Sequence, residues 1–203
     1  MSEVFNDNIA GLGMEEIITL SLEIEKAAEA EAALLIANKK PITQESFDKA
    51  EAAKKLGNKL FVEHNYLEAI QQYDISLQCF PTEASYFANR SVCHLNRRDF
   101  LPALHDALIA TRVAPKWSKG YYRLAMARLA VGRHTDASSA AMEGICIDPG
   151  NAGLLRVFKR CVQIGKHEYN EEVEAARRER ERRRAAATAE LLRVLPVEPS
   201  DRI

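Results

Sequence analysis

Five side chains in the middle of the chain have types and spacings that suit the binding of a small anion. Lys54 and Asn58 are four residues apart, Lys119 and Arg123 are four residues apart, and Asn89 lies between the two pairs. Residues four apart on a helix share a face. Three of the five are cations and two are amides that can donate hydrogen bonds. In one channel, with no acid at matching positions, they call for a dianion. A peptide ending in Asp supplies one, because its side-chain and terminal carboxylates are close neighbours, and capture of a C-terminal carboxylate is a recurring recognition mode. Each charge-assisted bond contributes about 1.5–3 kcal/mol. Association itself costs at least several kcal/mol. The expected affinity is therefore near micromolar, about -8 kcal/mol.

Such a channel needs helices stacked in register, and the sequence contains an internal repeat that would stack them. Ala69, Ala103 and Ala137 are 34 residues apart, as are Pro81, Pro115 and Pro149, and as are the small residues Gly57, Ser91 and Ala125. Thirty-four residues is the period of the tetratricopeptide repeat (TPR), a helix–turn–helix unit. Small residues at fixed points let the two helices of a unit approach closely. Proline ends the second helix, because it lacks an N–H and disfavours helix in the residue before it. The period places repeats at about 50–83, 84–117 and 118–151, each with two helices of roughly 13–15 residues. Helices that short are marginal alone and are stabilised by stacking their apolar faces; in the first repeat these are Leu56, Leu60, Tyr66, Ile70 and Tyr73.

The fold expected is all-α: a TPR solenoid of three helix–turn–helix repeats plus a capping helix, with helical N- and C-terminal extensions. Residues 1–42 form an acidic helical extension, 43–165 the TPR domain, and 166–203 a charged helical extension. Within the first, 14–38 reads as a helix with Ile17, Leu20, Ile24, Ala27 and Leu34 on one side, broken by Pro41. Thr43 is the N-cap of the next helix. Residues 152–165, with Leu154, Leu155, Phe158 and Val162 at helical spacing, read as the cap that a repeat array requires. A long charged helix follows over 168–195, with Glu174–Arg178 and Glu179–Arg183 in the favourable order, and Pro196 ends it.

The runs Lys54-Lys55-Leu56-Gly57-Asn58-Lys59, Asn89-Arg90-Ser91 and Lys119-Gly120-Tyr121-Tyr122-Arg123 resemble the dicarboxylate-clamp TPR domains. These occur in the heat-shock organising protein, a TPR-bearing serine/threonine phosphatase and large immunophilins. The resemblance covers about residues 50–165. It implies that Lys54, Asn58, Asn89, Lys119 and Arg123 bind the Glu-Glu-Val-Asp tails of cytosolic seventy- and ninety-kilodalton heat-shock chaperones. Phe61, Val92 and Leu95 would be further groove contacts. Phe61 resembles an aromatic of ninety-kilodalton-selective members, and Asn96 departs from the lysine of a domain selective for the seventy-kilodalton class. The implied function is that of a co-chaperone or adaptor, with the terminal helices free for a second protein partner.

Composition is consistent with a binding protein and excludes other classes. The 203 residues carry a net charge of -1, whereas a general nucleic-acid binder needs a basic excess. Residues 1–33 hold eight acids and one base, a net of -7, which leaves about +6 for the remainder. The basic body therefore meets any anionic partner. The four cysteines, Cys79, Cys93, Cys146 and Cys161, form no C-x-x-C pair and read as buried thiols in a reducing, cytoplasmic setting. No apolar run approaches membrane-spanning length. No catalytic set, cofactor loop or metal-ligand spacing occurs: His94 beside Cys93 and His105 beside Asp106 lack it, and they read as core or surface histidines. Trp117 reads as packing between repeats. Arg177–Arg184, six Arg and two Glu, reads as a solvated helix face. Two alternatives stay open at this point: a TPR groove for an unrelated peptide, and RNA association through that Arg-rich segment.

Overall fold

The computed structural model describes residues 12–39 and 41–194. Among them are eight helices and no strand: α1 (Met14–Ala37), α2 (Gln44–Val62), α3 (Tyr66–Cys79), α4 (Ala84–Arg97), α5 (Phe100–Val113), α6 (Ser118–Ala130), α7 (His134–Ile147) and α8 (Ala152–Val194). The chain divides into two compact units, one up to Val162 and the other from Gln163.

In the first unit α2 packs on α3, α4 on α5 and α6 on α7, as three successive helix pairs. The first helices of the pairs also touch one another, α2 with α4 and α4 with α6. They therefore form a row, and that row positions the site. The recurrent small residues stand where the two helices of a pair cross. Ala69, Ala103 and Ala137 are all fully buried. Ser91 Oγ donates to the carbonyl of Ala103 at 2.7 Å across one such crossing. At Gly57 a Cβ would lie 2.9 Å from the Tyr73 ring, so no larger residue fits without a shift. Pro81, Pro115 and Pro149 each stand two residues past the end of a second helix, at Cys79, Val113 and Ile147. Thr43 caps α2, its hydroxyl accepting from the Ser46 N–H at 3.2 Å.

Several faces differ from those expected by residue size. In α1, Leu34 is 63% exposed and Ala27 is exposed, while Ser21, Ile24, Ala28 and Ala32 are buried. The helix lies along α5, and small residues permit the close approach. Leu56 is exposed because Ala50, Ala53 and Gly57 occupy the inner face of α2. In the cap, Leu154, Val157 and Cys161 are buried, and Leu155 and Val162 are a little over one-third exposed. The capping helix and the charged helix are one continuous α8. Cys79, at the end of α3, is half-buried, and Cys146 is exposed because Ala137, Ala140, Ala141 and Gly144 take the inner face of α7. Pro196 lies outside the described residues.

One cation ties three helices together. Arg90 on α4 donates from Nε and Nη2 to the carboxylate of Asp106 on α5, at 2.8 and 2.6 Å, and from Nη1 to Asp74 on α3 at 2.5 Å. Asp106 is buried. Burial pushes its carboxyl up, but the Arg90 guanidinium outweighs that and holds it well below the usual carboxylate range. Three acids of α1 find bases in the repeats. Glu25 pairs with Arg128 at 2.8 Å and Arg133 at 3.0 Å, Glu29 pairs with Arg112, and Glu31 with His105 Nε2 at 3.2 Å. His105, which the sequence reads as a core or surface histidine, is half-buried and bridges Glu31 to the hub residue Asp106, 3.8 Å away.

The second unit is the remainder of α8. Its side chains are exposed from Gly165 to Glu190. Arg178–Glu174 at 3.1 Å and Arg183–Glu179 at 2.8 Å pair as the spacing predicts, and Arg177–Glu181 adds a third pair at 3.0 Å. Among the described residues, no helix is long and apolar enough to cross a membrane.

Two expectations follow. Asp106→Asn removes the charge opposite a largely buried guanidinium and should lower unfolding free energy by about 2–4 kcal/mol in urea titrations. The second concerns pH. Burial lowers the His105 pKa, but its bonds to Asp106 and Glu31 raise it further, to about 9. A raised value means that the folded state holds the proton more tightly than the unfolded chain, whose histidine titrates near about 6.5. The stabilisation is thus complete below about pH 6.5 and is lost as pH rises through about 9. Denaturation midpoints of the wild type should fall across that window relative to those of His105→Gln.

Candidate carboxylate-binding cleft

The row formed by α2, α4 and α6 carries a cleft of about 360 Å³. Its lining includes all five residues singled out from the sequence: Lys54 and Asn58 from α2, Asn89 from α4, and Lys119 and Arg123 from α6. Ser85, Ala88 and Trp117 complete it. Phe61, Val92 and Leu95 do not line the cleft. Phe61 packs on Tyr66, with ring centroids 5.6 Å apart, Leu95 packs against the main core, and Val92 is half-buried. They follow the nearest lining residues, Asn58 and Asn89, by three to six positions along their helices.

The amides have defined orientations. The Tyr73 hydroxyl donates to Asn58 Oδ1 at 2.7 Å, and Asn89 Nδ2 donates to the same oxygen at 3.2 Å. With its oxygen engaged twice, Asn58 keeps its own two N–H groups as donors. The cations differ in their surroundings. Lys119 is exposed. Arg123 is half-buried, and its guanidinium lies 5.2 Å from the centroid of the Tyr122 ring. Burial lowers the Arg123 pKa from its ordinary value. Among the described residues neither cation forms an ion pair. Lys54 does: its Nζ lies 2.7 Å from Glu51. The expectation that no acid matches the cationic positions is therefore corrected. Glu51, Ser85 and Lys119 are successively 34 residues apart and occupy equivalent places in the three repeats.

That spacing also gives the signal that would have found two missed lining residues. Ser85 is one repeat before Lys119, and Ala88 one repeat after Lys54. Trp117 packs against the core, as expected, and also forms part of the cleft wall. Away from the cleft, the buried His94 keeps Nδ1 3.6 Å from Asp99 and without a hydrogen bond. Burial lowers its pKa. No group of three His, Cys, Asp or Glu side chains suited to a metal occurs among the described residues.

A cleft with cationic and amide donors on three adjacent helices suits a ligand with more than one carboxylate. The chain is a TPR solenoid similar to the TPR regions of co-chaperones. It is 35% identical over 104 residues to small glutamine-rich tetratricopeptide repeat-containing protein 2 of Saccharomyces cerevisiae, covering 51% of this chain and 30% of that protein. It is 27% identical over 175 residues to Hsp70-Hsp90 organizing protein 1 of Glycine max, covering 77% and 31%. Among solved structures, the Hsp90 co-chaperone Cns1 from Saccharomyces cerevisiae superposes with a TM-score of 0.65 at 26% identity, covering 77% of this chain and 55% of that one. The chain thus spans about a third of the length of these curated relatives. No family model matches it.

The cleft's charges predict an unusual stability pattern. Arg123 is a half-buried charge without a carboxylate partner, so Arg123→Met should cost no stability and should add up to about 1 kcal/mol. Lys119→Ala, at an exposed site, should stay within about 0.5 kcal/mol of wild type. Urea melts of both variants check this.

Proposed function

We propose that this protein is a non-enzymatic adaptor whose cleft binds the C-terminal Glu-Glu-Val-Asp tail of heat-shock chaperones. The observation that carries the reading is the convergence of Lys54, Asn58, Asn89, Lys119 and Arg123 on one cleft, with Arg123 half-buried and without an acid beside it. A desolvated, unmatched guanidinium is costly, and a bound carboxylate offsets that cost. In this reading the terminal and side-chain carboxylates of the last Asp take the lysine and arginine donors, and the amides of Asn58 and Asn89 add hydrogen bonds. The names of the relatives, an Hsp70-Hsp90 organizing protein and an Hsp90 co-chaperone, point the same way. Phe61 and Asn96, on which a preference for the ninety-kilodalton class rests, are both outside the residues that line the cleft. The proposal therefore covers both chaperone classes.

Isothermal titration with a peptide ending in Glu-Glu-Val-Asp tests it. Wild type should bind with a Kd near about 1 μM. Lys119→Ala and Arg123→Ala should each lose about 2–5 kcal/mol of binding, because each leaves a peptide carboxylate without its partner. Added salt should weaken the wild-type complex, and a peptide lacking the last Asp should not bind. Unchanged affinity in both variants, or no binding by wild type, refutes the chaperone-tail reading and leaves the TPR scaffold standing.

A further inference from the structure

Glu51 is the repeat equivalent of the two cleft residues Ser85 and Lys119. It does not itself line the cleft, but it is bonded to Lys54, which does. Its carboxylate accepts from Lys54 Nζ at 2.7 Å and from the Tyr86 hydroxyl at 2.9 Å. Tyr86 is fully buried, and a buried hydroxyl needs an acceptor. Lys54 Nζ also lies 5.8 Å from the centroid of the Tyr86 ring. The carboxylate is thus anchored by a core residue, and the ammonium is held between that carboxylate and an aromatic face. The Lys54 hydrogen bond keeps the Glu51 carboxyl below its ordinary pKa. Both side chains are about one-quarter exposed, a setting in which charge is screened less than on an open surface.

The arithmetic of the cleft changes as a result. Lys54, Lys119 and Arg123 supply three positive charges, and Glu51 removes one, leaving two. An ammonium has three N–H donors, so Lys54 still donates to a ligand after one is taken by Glu51. We infer that Glu51 is a positioning residue that sets the charge the cleft accepts: it cancels the net charge of Lys54 without removing its donors, so the cleft selects dianionic peptide ends over trianionic ones. The inference rests on the carboxylate-binding reading above. A third negative charge on the ligand would lie near Glu51 with no cation left to match it. Repulsion of this kind is how a site rejects near-relatives of its ligand.

The test uses the full chain and two peptides of equal length, one ending in Val-Asp and one in Val-phosphoserine. At pH 7.5 the first end carries two negative charges and the second about three. Glu51→Gln keeps an acceptor for Lys54 and Tyr86 and removes the charge. Wild type should bind the Asp-ended peptide at least about tenfold more tightly, and Glu51→Gln should shrink that ratio about tenfold, chiefly by gaining the phosphoserine end. Glu51→Asp, which keeps the charge, should keep the wild-type ratio. A purely structural role for Glu51 would weaken both peptides alike and leave the ratio unmoved; that result overturns the inference while the carboxylate reading stands. If wild type binds neither peptide, the carboxylate reading fails and the inference fails with it.

Discussion

The bidentate pair between Arg90 and the buried Asp106 fixes α4 against α5, and the third bond, to Asp74, fixes α4 against α3. A guanidinium presents its donors in a rigid planar fork, so two carboxylates on different helices must be placed to suit it. Asn89 precedes Arg90 directly, and one residue along a helix is a turn of about 100°. Holding Arg90 between the helices therefore aims Asn89 into the cleft, where its amide meets Asn58. The central wall of the cleft is oriented by this buried charge cluster as well as by apolar packing.

The same cluster reaches the N-terminal helix. His105 adjoins Asp106 in sequence and contacts both Asp106 and Glu31. Glu25 and Glu29 extend the attachment to Arg128, Arg133 and Arg112. Three of the acids in the first 33 residues, Glu25, Glu29 and Glu31, are thus engaged by bases of the repeats. Ser21, Ala28 and Ala32 let α1 approach closely, and such close packing adds dispersion contacts to the ion pairs. Arg133 is itself buried and bonds to Ser21 and Asp136 as well as Glu25. A buried guanidinium is tolerable when its donors are matched in this way.

The cleft reverses that logic. Arg90 and Arg133 have carboxylates; Arg123, half-buried on the cleft wall, has none among the described residues. Lys54 stands between these cases, paired with Glu51 and still lining the cleft. Arg90 and Arg133 are thus matched by carboxylates, Lys54 is matched while it lines the cleft, and Lys119 and Arg123 line the cleft without a carboxylate among the described residues.

How much of this was legible in the sequence follows from the range of each interaction. The 34-residue spacing of Ala69, Ala103 and Ala137 and of Pro81, Pro115 and Pro149 determined the helix pairs and where each ends, because close approach and proline's missing donor are properties of single positions. Spacing by four put Lys54 with Asn58 and Lys119 with Arg123 on shared faces, because helical periodicity is local. Tertiary structure alone decided which atoms meet across helices. Glu51 meets the Tyr86 hydroxyl 35 residues away, and Glu25 meets Arg128 103 residues away; no local rule reports such pairs. It also decided the rotation of α1, where residue size pointed to Leu34 and close packing selected Ala28 and Ala32. A face chosen for hydrophobicity and a face chosen for fit coincide when the neighbour is flat; against α5 the small residues fit best. Phe61 shows the same ambiguity of an apolar side chain: in the sequence its ring could serve a groove or a core, and in the fold it is half-buried with its ring 5.6 Å from that of Tyr66.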